Sequence, residues 1–561
     1  MVPWPLAARR RGATSSHDGG VIEARTAAVV RAAEEPLLAA GVPLMERASF
    51  ALSRTVLREL VARRGRVVGA RVVLLVGAGN NGGDALFAGA LLRRRGVAVT
   101  AYGVSARVHE EGRDALVRAG GRFAPVADPA ARDDGDAAPD ARSASRGDGP
   151  ADVADHAAAS DVVVDAVLGT GATGALRGAG AAVVRAVEDA LEGAASRPLV
   201  MAVDVPSGIG VDDGTVPGPV LPADVTVTFG AAKRGLLLPP AAGRAGRVEV
   251  VDIGLGLRAR HARPGAGWAL CRLEPDDVAA VWPVPGTSSQ KYSRGVLGVV
   301  AGTSEFPGAA VLAVTAAVRA GVGMVRYVGP DAVAHAVVGA RPEVVPARGR
   351  VQAWAVGPGL PAATPGDDAP VEPDVLAQHR EVRAALAAAT AEDGRVPVVV
   401  DAGALSLLPG RVPPTVVLTP HAGELATLLR TRGQDIDRGA VEAAPLEHAR
   451  LAHELTGATV LLKGAVTVVV GAGGAAYAQA DGPAWLATAG AGDVLTGLLG
   501  VLLAGRSEDV LRTPALAATL AAAAAAVHGR AAHAANPGGP VGALAVADAL
   551  PGVVADLLRR S

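Results

Sequence analysis

RVVLLVGAGNNGGDALFAGALL, residues 71–92, carries a strand into a helix across four glycines, Gly77, Gly79, Gly82 and Gly83. The run to Val76 is uninterruptedly apolar, as in a strand buried on both faces of a parallel sheet, and the residues after the glycines suit a helix. Such a turn brings backbone N–H groups and a helix N-terminus to one point, a place for an anion. Asn80 and Asn81 add side-chain carbonyls, hard oxygens suited to a cation or an amide partner. The spacing is not G-x-G-x-x-G, and no acid closes a second strand about 20 residues on, so the dinucleotide fingerprint is absent.

Outward from this turn the same alternation repeats. VAVTAYGV, SDVVVDAVLG, RPLVMAVDVPSG, DVTVTFG and RVEVVDIG are short β-branched runs ending in glycine or a polar residue, with helix-length segments between them. Residues 21–64 have helical spacing. This predicts a doubly wound α/β domain over 21–255, behind a disordered tail at 1–20. Residues 126–159, mostly Ala, Asp, Gly and Ser, read as a disordered insertion. After a linker at 256–272, GVLGVVAG, GMVRYVGP, QAWAVGPG, RVPVVVDAGAL, PTVVLTPHAGE, ATVLLKG, VTVVVGAG and AAYAQA predict a second α/β domain over 273–561. Ligands of such sheets sit at the carboxyl ends of strands. There, DAVLGTGATG offers Asp165, DVPSG offers Asp204 and Ser207, and TAGAGDVLTG offers Asp493; a turn or cap role is the bland alternative for each acid.

Composition removes other classes. Lys plus Arg number 54 against 55 Asp plus Glu, so no net field draws nucleic acid or a membrane surface. The single cysteine, Cys271, permits no internal disulfide and suits a reducing compartment. With no secretory h-region and no uninterrupted apolar span, a cytoplasmic location is expected. The chain holds only three lysines, Lys233, Lys291 and Lys463, and three asparagines, Asn80, Asn81 and Asn536. A sequence that writes its cations as Arg keeps a lysine where chemistry requires one, so these positions are marked.

Together, GNNGGD, DAVLGTGATG, DVPSG and ADVTVTFGAAKRGLLLPP resemble the NAD(P)H-hydrate epimerase domain across nearly all of 21–255. The resemblance implies a Rossmann-like fold and interconversion of the R and S hydrates of nicotinamide cofactors at C6. It places substrate contacts on Asn80, Asn81, Gly82, Gly83 and Asp84, on Gly169, Thr170, Gly171, Ala172, Thr173, Gly174 and Ala175, and on Asp204, the candidate acid or base. K+ ligands fall on Asn81, Asp165 and Ser207. Ala85 departs from the usual glycine.

QKYSRGVLGVVAGTSEFPGAAVLA, AVGPGL, DAGAL, LTPHAGELATLL, LLKGAVTVV and TAGAGDVLTG resemble the ADP-dependent NAD(P)H-hydrate dehydratase of the ribokinase-like superfamily, over about 275–560. By that resemblance the hydrate touches Ala309, Gly359, His421 and Asp493, and ADP with Mg2+ lies at Lys463, Gly464, Ala465, Val466, Thr467 and Gly492. The implied reaction phosphorylates the hydroxyl of the S hydrate and then loses phosphate. From the residues alone, an acid at a glycine-lined helix mouth can take a proton from an attacking hydroxyl, and it can also cap the helix. His421 is either a core histidine or a ligand contact. No Walker A motif is present. The expected partners are NAD(P)HX and ADP, with a homo-oligomer and neither nucleic acid nor membrane. A ribokinase-like vitamin or sugar kinase with a non-catalytic N-terminal binding domain stays open at this level.

Overall fold

Along the strand at Arg71–Val76, the side chains of Val72, Leu74 and Val76 enter one buried cluster and those of Val73 and Leu75 another. That two-residue alternation makes both faces of the sheet apolar, and helices must cover both. The computed structural model describes residues 21–127, 148–192, 194, 196–257, 269–363, 372–392 and 394–560. They form two compact units, one of residues 23–269 and one of residues 270–560 together with 21–22.

The first unit contains β1 (Ile22–Arg25), α1 (Ala27–Ala39), α2 (Leu44–Arg64), β2 (Arg71–Val76), α3 (Asn80–Arg93), β3 (Ala98–Gly103), α4 (Glu110–Arg118), β4 (Arg122–Pro125), α5 (Pro150–Ala158), β5 (Val162–Ala166), α6 (Gly178–Glu192), β6 (Leu199–Val203), β7 (Val225–Phe229), β8 (Ala232–Lys233), α7 (Ala242–Ala245) and β9 (Arg247–Val251). Its sheet runs β4-β3-β2-β5-β6-β7-β9, parallel throughout. Leu52, Val56 and Leu60 of α2, Leu86 and Leu92 of α3 and Leu116 of α4 cover one face. Val153 of α5 and Val183, Val184 and Val187 of α6 cover the other. Beside this sheet β1 pairs with β8 in parallel, Arg25 opposite Lys233.

Three expectations are corrected. Residues 21–64 are not helical from the start, since Ile22–Arg25 is a strand. The insertion expected to be disordered over 126–159 holds an ordered helix, α5, which buries Val153, Ala154 and Ala157 against the sheet. Small side chains bury little area each, but three on one face of a helix suffice to dock it; residues 128–147 of that stretch lie outside the described residues. The linker expected over 256–272 ends early, because Leu270–Arg272 is a strand; 258–268 of it, and the expected tail at 1–20, also lie outside the described residues.

The second unit contains β10 (Leu270–Arg272), α8 (Pro275–Val281), β11 (Val296–Val300), α9 (Pro307–Arg319), β12 (Met324–Tyr327), α10 (Asp331–Ala340), β13 (Ala353–Val356), α11 (Pro373–Thr390), β14 (Val398–Val400), β15 (Val416–Leu418), α12 (Ala422–Thr431), α13 (Arg438–Ala443), α14 (Pro445–Thr456), β16 (Thr459–Leu462), β17 (Thr467–Val470), β18 (Ala476–Gln479), α15 (Ala491–Gly505), α16 (Ser507–Arg512), α17 (Leu516–Ala535) and α18 (Ala543–Arg560). Strands β12-β11-β13-β14-β15-β16 are parallel neighbours. The sheet continues through β17 and β18 as antiparallel hairpins and then β10. Helices α9, α15, α17 and α18 share one core with it. Among the described residues no helix is long and apolar enough to cross a membrane.

Candidate active sites

In the first unit β2, β5, β6 and β7 are neighbours, so their carboxyl ends deliver Gly77–Asp84, Val167–Ala175, Asp204–Gly208 and Gly230–Lys233 to one edge. Asn81, in the first turn of α3, is buried and donates its Nδ2 to Leu168 O at 3.1 Å and to Val203 O at 2.6 Å. It thus ties three strand exits together. The fit needs a glycine at 169, because a Cβ there would stand 2.5 Å from Asn81 Oδ1. Gly82 and Gly83 are buried in the same helical turn, Asn80 is exposed, and Gly169–Ala175 form a loop with Gly171, Thr173 and Gly174 exposed.

Asp165 is fully buried. Its carboxylate accepts from Ser207 N at 2.8 Å, Ser207 Oγ at 2.6 Å and Val167 N at 3.3 Å. Burial still raises its pKa against these hydrogen bonds. Asn81 and Ser207 both bond Leu168, and Ser207 bonds Asp165, so the three side chains gather around one strand exit.

Asp204 leaves β6 at φ 66, a left-handed conformation that a short polar side chain tolerates better than most. Its amide donates to Val227 O at 2.7 Å, and its Oδ1 accepts from Thr228 Oγ1 at 3.0 Å and Phe229 N at 3.2 Å. Lys233, buried, forms an ion pair with the same Oδ1 and spends its other donors on Thr228 Oγ1 and Phe229 O, each at 3.1 Å. Two more acids face this pair. Burial first, then the charges of Asp204 and Glu34, push the Asp84 carboxyl well above its ordinary range, with Lys233 opposing. Asp84 Oδ1 has no hydrogen-bond partner. Glu34 of α1 is raised by burial and by Asp204, with Lys233 and Arg31 opposing. Sequence reasoning marked Lys233 through its rarity without placing it in a site, and missed Glu34.

In the second unit the exits of β11, β13, β14, β15 and β16 line one edge and carry Gly302, Gly359, Asp401, His421 and Lys463. Gly359, at φ 68, packs so closely that a Cβ would meet the Ala309 Cβ at 2.7 Å, so these two expected contacts do come together. His421 is exposed, which settles it as no core histidine. It caps α12, its Nδ1 accepting from Gly423 N at 3.0 Å and Glu424 N at 3.3 Å, so Nε2 carries the proton in the neutral ring. Lys463, Gly464, Ala465 and Val466 form the turn between β16 and β17, with Gly464 and Ala465 exposed, and Thr467 opens β17.

Lys463 Nζ donates to Asp401 Oδ1 at 2.8 Å and lies 3.8 Å from Glu424 Oε2. Burial disfavours its ammonium, but Asp401 and Glu424 outweigh that, and the net shift is upward. Asp493 stands in the first turn of α15. The expected cap role is not present: Gly490 occupies the N-cap position and no side chain caps the helix. Burial, followed by the Asp401 charge, pushes the Asp493 carboxyl up to about 7, with Lys463 opposing. Behind the turn, buried His528 of α17 is pushed down to about 4, chiefly by burial. Asp401 lay unremarked in DAGAL, and Thr496, which donates to Asp401 Oδ2 at 2.9 Å, in GAGDVLTG. Among the described residues no group of three or more His, Cys, Asp or Glu is placed to hold a metal.

Two family models match the chain: NAD(P)H-hydrate dehydratase over residues 297–547 and YjeF-related protein N-terminus over 41–235. The bifunctional NAD(P)H-hydrate repair enzyme Nnr of Mycobacterium tuberculosis (strain ATCC 25618 / H37Rv) is 43% identical over 492 residues, covering 85% of this chain and 88% of its own. The NAD(P)H-hydrate epimerase of Clavibacter michiganensis subsp. michiganensis is 45% identical over 240 residues, 42% of this chain and 93% of its own. A crystal structure of the ADP/ATP-dependent NAD(P)H-hydrate dehydratase from Bacillus subtilis, co-crystallised with ATP/Mg2+, is 27% identical and covers 51% of this chain and 98% of its own, with a TM-score of 0.41.

Proposed function

The chain belongs to the bifunctional NAD(P)H-hydrate repair enzymes, and on that premise we propose how its residues divide the work. It is an enzyme with NAD(P)H-hydrate epimerase and NAD(P)H-hydrate dehydratase activities in one chain, acting on hydrated nicotinamide cofactors.

For the dehydratase the carrying observation is Asp493: an uncapped carboxyl at a helix mouth, poised near 7, beside a lysine held by a buried carboxylate. A general base works best with a pKa near the operating pH. Asp493 takes the proton of the C6 hydroxyl as that oxygen attacks the terminal phosphoryl group of ADP, and the bond from that group to the departing AMP breaks. Lys463 and the N–H groups of the 463–467 segment, with Gly492, hold the nucleotide; Mg2+, when bound, would neutralise charge on its phosphates. Ala309, Gly359 and His421 border the hydrate. Phosphate then leaves C6 with its bonding electrons, C5 gives up a proton, and the C5–C6 double bond of NAD(P)H is restored.

For the epimerase, Asp204 serves as the proton shuttle. The C6 hydroxyl departs as water with a proton drawn from the Asp204–Lys233 pair while the N1 lone pair closes a C6–N1 double bond, and water adding to the opposite face returns that proton to the pair. Asn80 to Asp84 and Gly169 to Ala175 border the substrate. A K+ ion would be held by Asn81, Asp165 and Ser207. Asp165 fits it, being a fully buried carboxylate that, among the described residues, forms no ion pair and has the hard oxygen of the Ser207 hydroxyl 2.6 Å away. The ion would supply that missing positive charge.

The test is a mixed R and S NADHX preparation with ADP, Mg2+ and K+, followed by the return of dihydronicotinamide absorbance. Complete recovery is expected. Recovery that halts once the S fraction is consumed would refute the epimerase assignment, and accumulation of a stable phosphorylated product would refute the dehydratase chemistry.

A further inference from the structure

We propose that Asp401 is a positioning residue of the phosphoryl-transfer site: its two carboxylate oxygens tie the Lys463 ammonium to the helix turn that carries Asp493, presenting cation and base as one unit. This rests on the assignment of Asp493 as base. Asp401 is buried at the exit of β14, its amide anchored to Val356 O at 3.0 Å. Oδ1 receives Lys463 Nζ at 2.8 Å from the exit of β16, and Oδ2 receives Thr496 Oγ1 at 2.9 Å from α15, one turn beyond Asp493. The three parts adjoin, since a Cβ on Gly492 would lie 3.3 Å from Lys463 Nζ and 3.7 Å from Asp401 Oδ2. A lysine stem has four rotatable bonds and is a poor fixed point without such a partner. A carboxylate that accepts from both elements fixes the distance between the phosphate-binding cation and the base, and in-line transfer depends on that distance.

The same carboxylate acts on Asp493 through charge. Around Asp493, Asp401 and Lys463 act directly; Glu424 and His421 of the α12 cap stand behind Lys463, and His528 of α17 behind Ala491. Asp401 favours the protonated form of Asp493 and so strengthens it as a base.

The experiment compares Asp401→Asn and Thr496→Val with wild type in ADP-dependent dehydration of S-NADHX across pH, with R-to-S exchange in the same protein as control. Asp401→Asn keeps the shape but removes the charge. Its kcat is expected to fall by ~10²-fold, the scale of an ångström-level misplacement, and the acid limb of kcat/KM to move to lower pH because Asp493 loses a negative neighbour. Thr496→Val keeps the charge, so kcat should fall with the limb unmoved. A wild-type kcat in both variants overturns the proposal, as does a fall in kcat for Asp401→Asn with the acid limb unmoved, which a merely structural role would give. If Asp401→Asn does not fold, Thr496→Val decides by its kcat. Failure of the base assignment is separate and shows as wild-type turnover in Asp493→Asn.

Discussion

Asp493→Asn separates chemistry from stability because the two move in opposite directions. Folding raises the pKa of this carboxyl from 3.8 to about 7, so between those values the native state keeps a proton that the unfolded chain has released. Wild-type stability must therefore decline as pH rises through that window, and the full cost is present above it. Converted at about 1.36 kcal/mol per pH unit, the cost is at most about 4 kcal/mol; water at this half-buried site makes the true figure smaller. Asparagine has nearly the same shape and never ionises. The variant should melt above wild type at pH 8, by a few degrees at roughly 2 °C per kcal/mol, and the advantage should vanish below about pH 4. Turnover should fall by ~10²- to 10⁴-fold, the range for loss of a general base. The wild-type kcat/KM should rise tenfold per pH unit below about 7 and level off above it, a limb that the residual activity of the variant lacks. The assays are thermal melts at several pH values and initial rates with S-NADHX and ADP. A lower melting temperature at pH 8 would mean that the side chain supports the helix, and undiminished turnover would remove it from catalysis; either refutes the reasoning.

Two other outcomes follow from buried contacts. Lys233→Met leaves the Asp204 carboxylate in the core without its cation, which typically costs ~3–5 kcal/mol; melting should drop, and adding Asp204→Asn should restore much of the stability without restoring R-to-S exchange. A double variant no more stable than Lys233→Met alone would count against the pairing. Val153→Asp puts a charge into the core face of α5 and should abolish epimerisation through loss of the fold, while S-NADHX dehydration continues; an unchanged melt would show that α5 carries no load.

Both sheets were legible because their parallel strands are buried on two faces and so appear as unbroken apolar runs. Elements that escaped lack that property: β4, β8 and β10 are edge or two-to-four-residue strands, and the reversal into β17 and β18 leaves no mark in composition. The ordered α5 was hidden by its alanines and aspartates. At the sites, glycine-rich exits exposed Asn81, Asp165, Ser207, Asp204 and Asp493, since each lies inside a short motif, Asp204 and Ser207 in the same one. Asp401 escaped because its meaning lies in a partner 62 residues away, as did Glu34, which meets Asp204 only in space.

The marked lysines show what kind of signal can cross that distance. Lys233 and Lys463 each donate to a buried aspartate, Asp204 and Asp401, whereas Lys291 sits over the exposed Tyr292 ring at 5.2 Å. In a chain that otherwise writes its cations as arginine, the difference is steric and electronic. A guanidinium brings five N–H donors in a rigid plane and needs acceptors for all of them. Lys233 has room for three bonds, to Asp204, Thr228 and Phe229, which matches an ammonium and would leave an arginine with buried donors unpaired. Rarity against a compositional background thus reports the geometry of the buried acceptor: two of the three marked lysines meet a buried aspartate, and Lys463 was marked while its partner Asp401 was not.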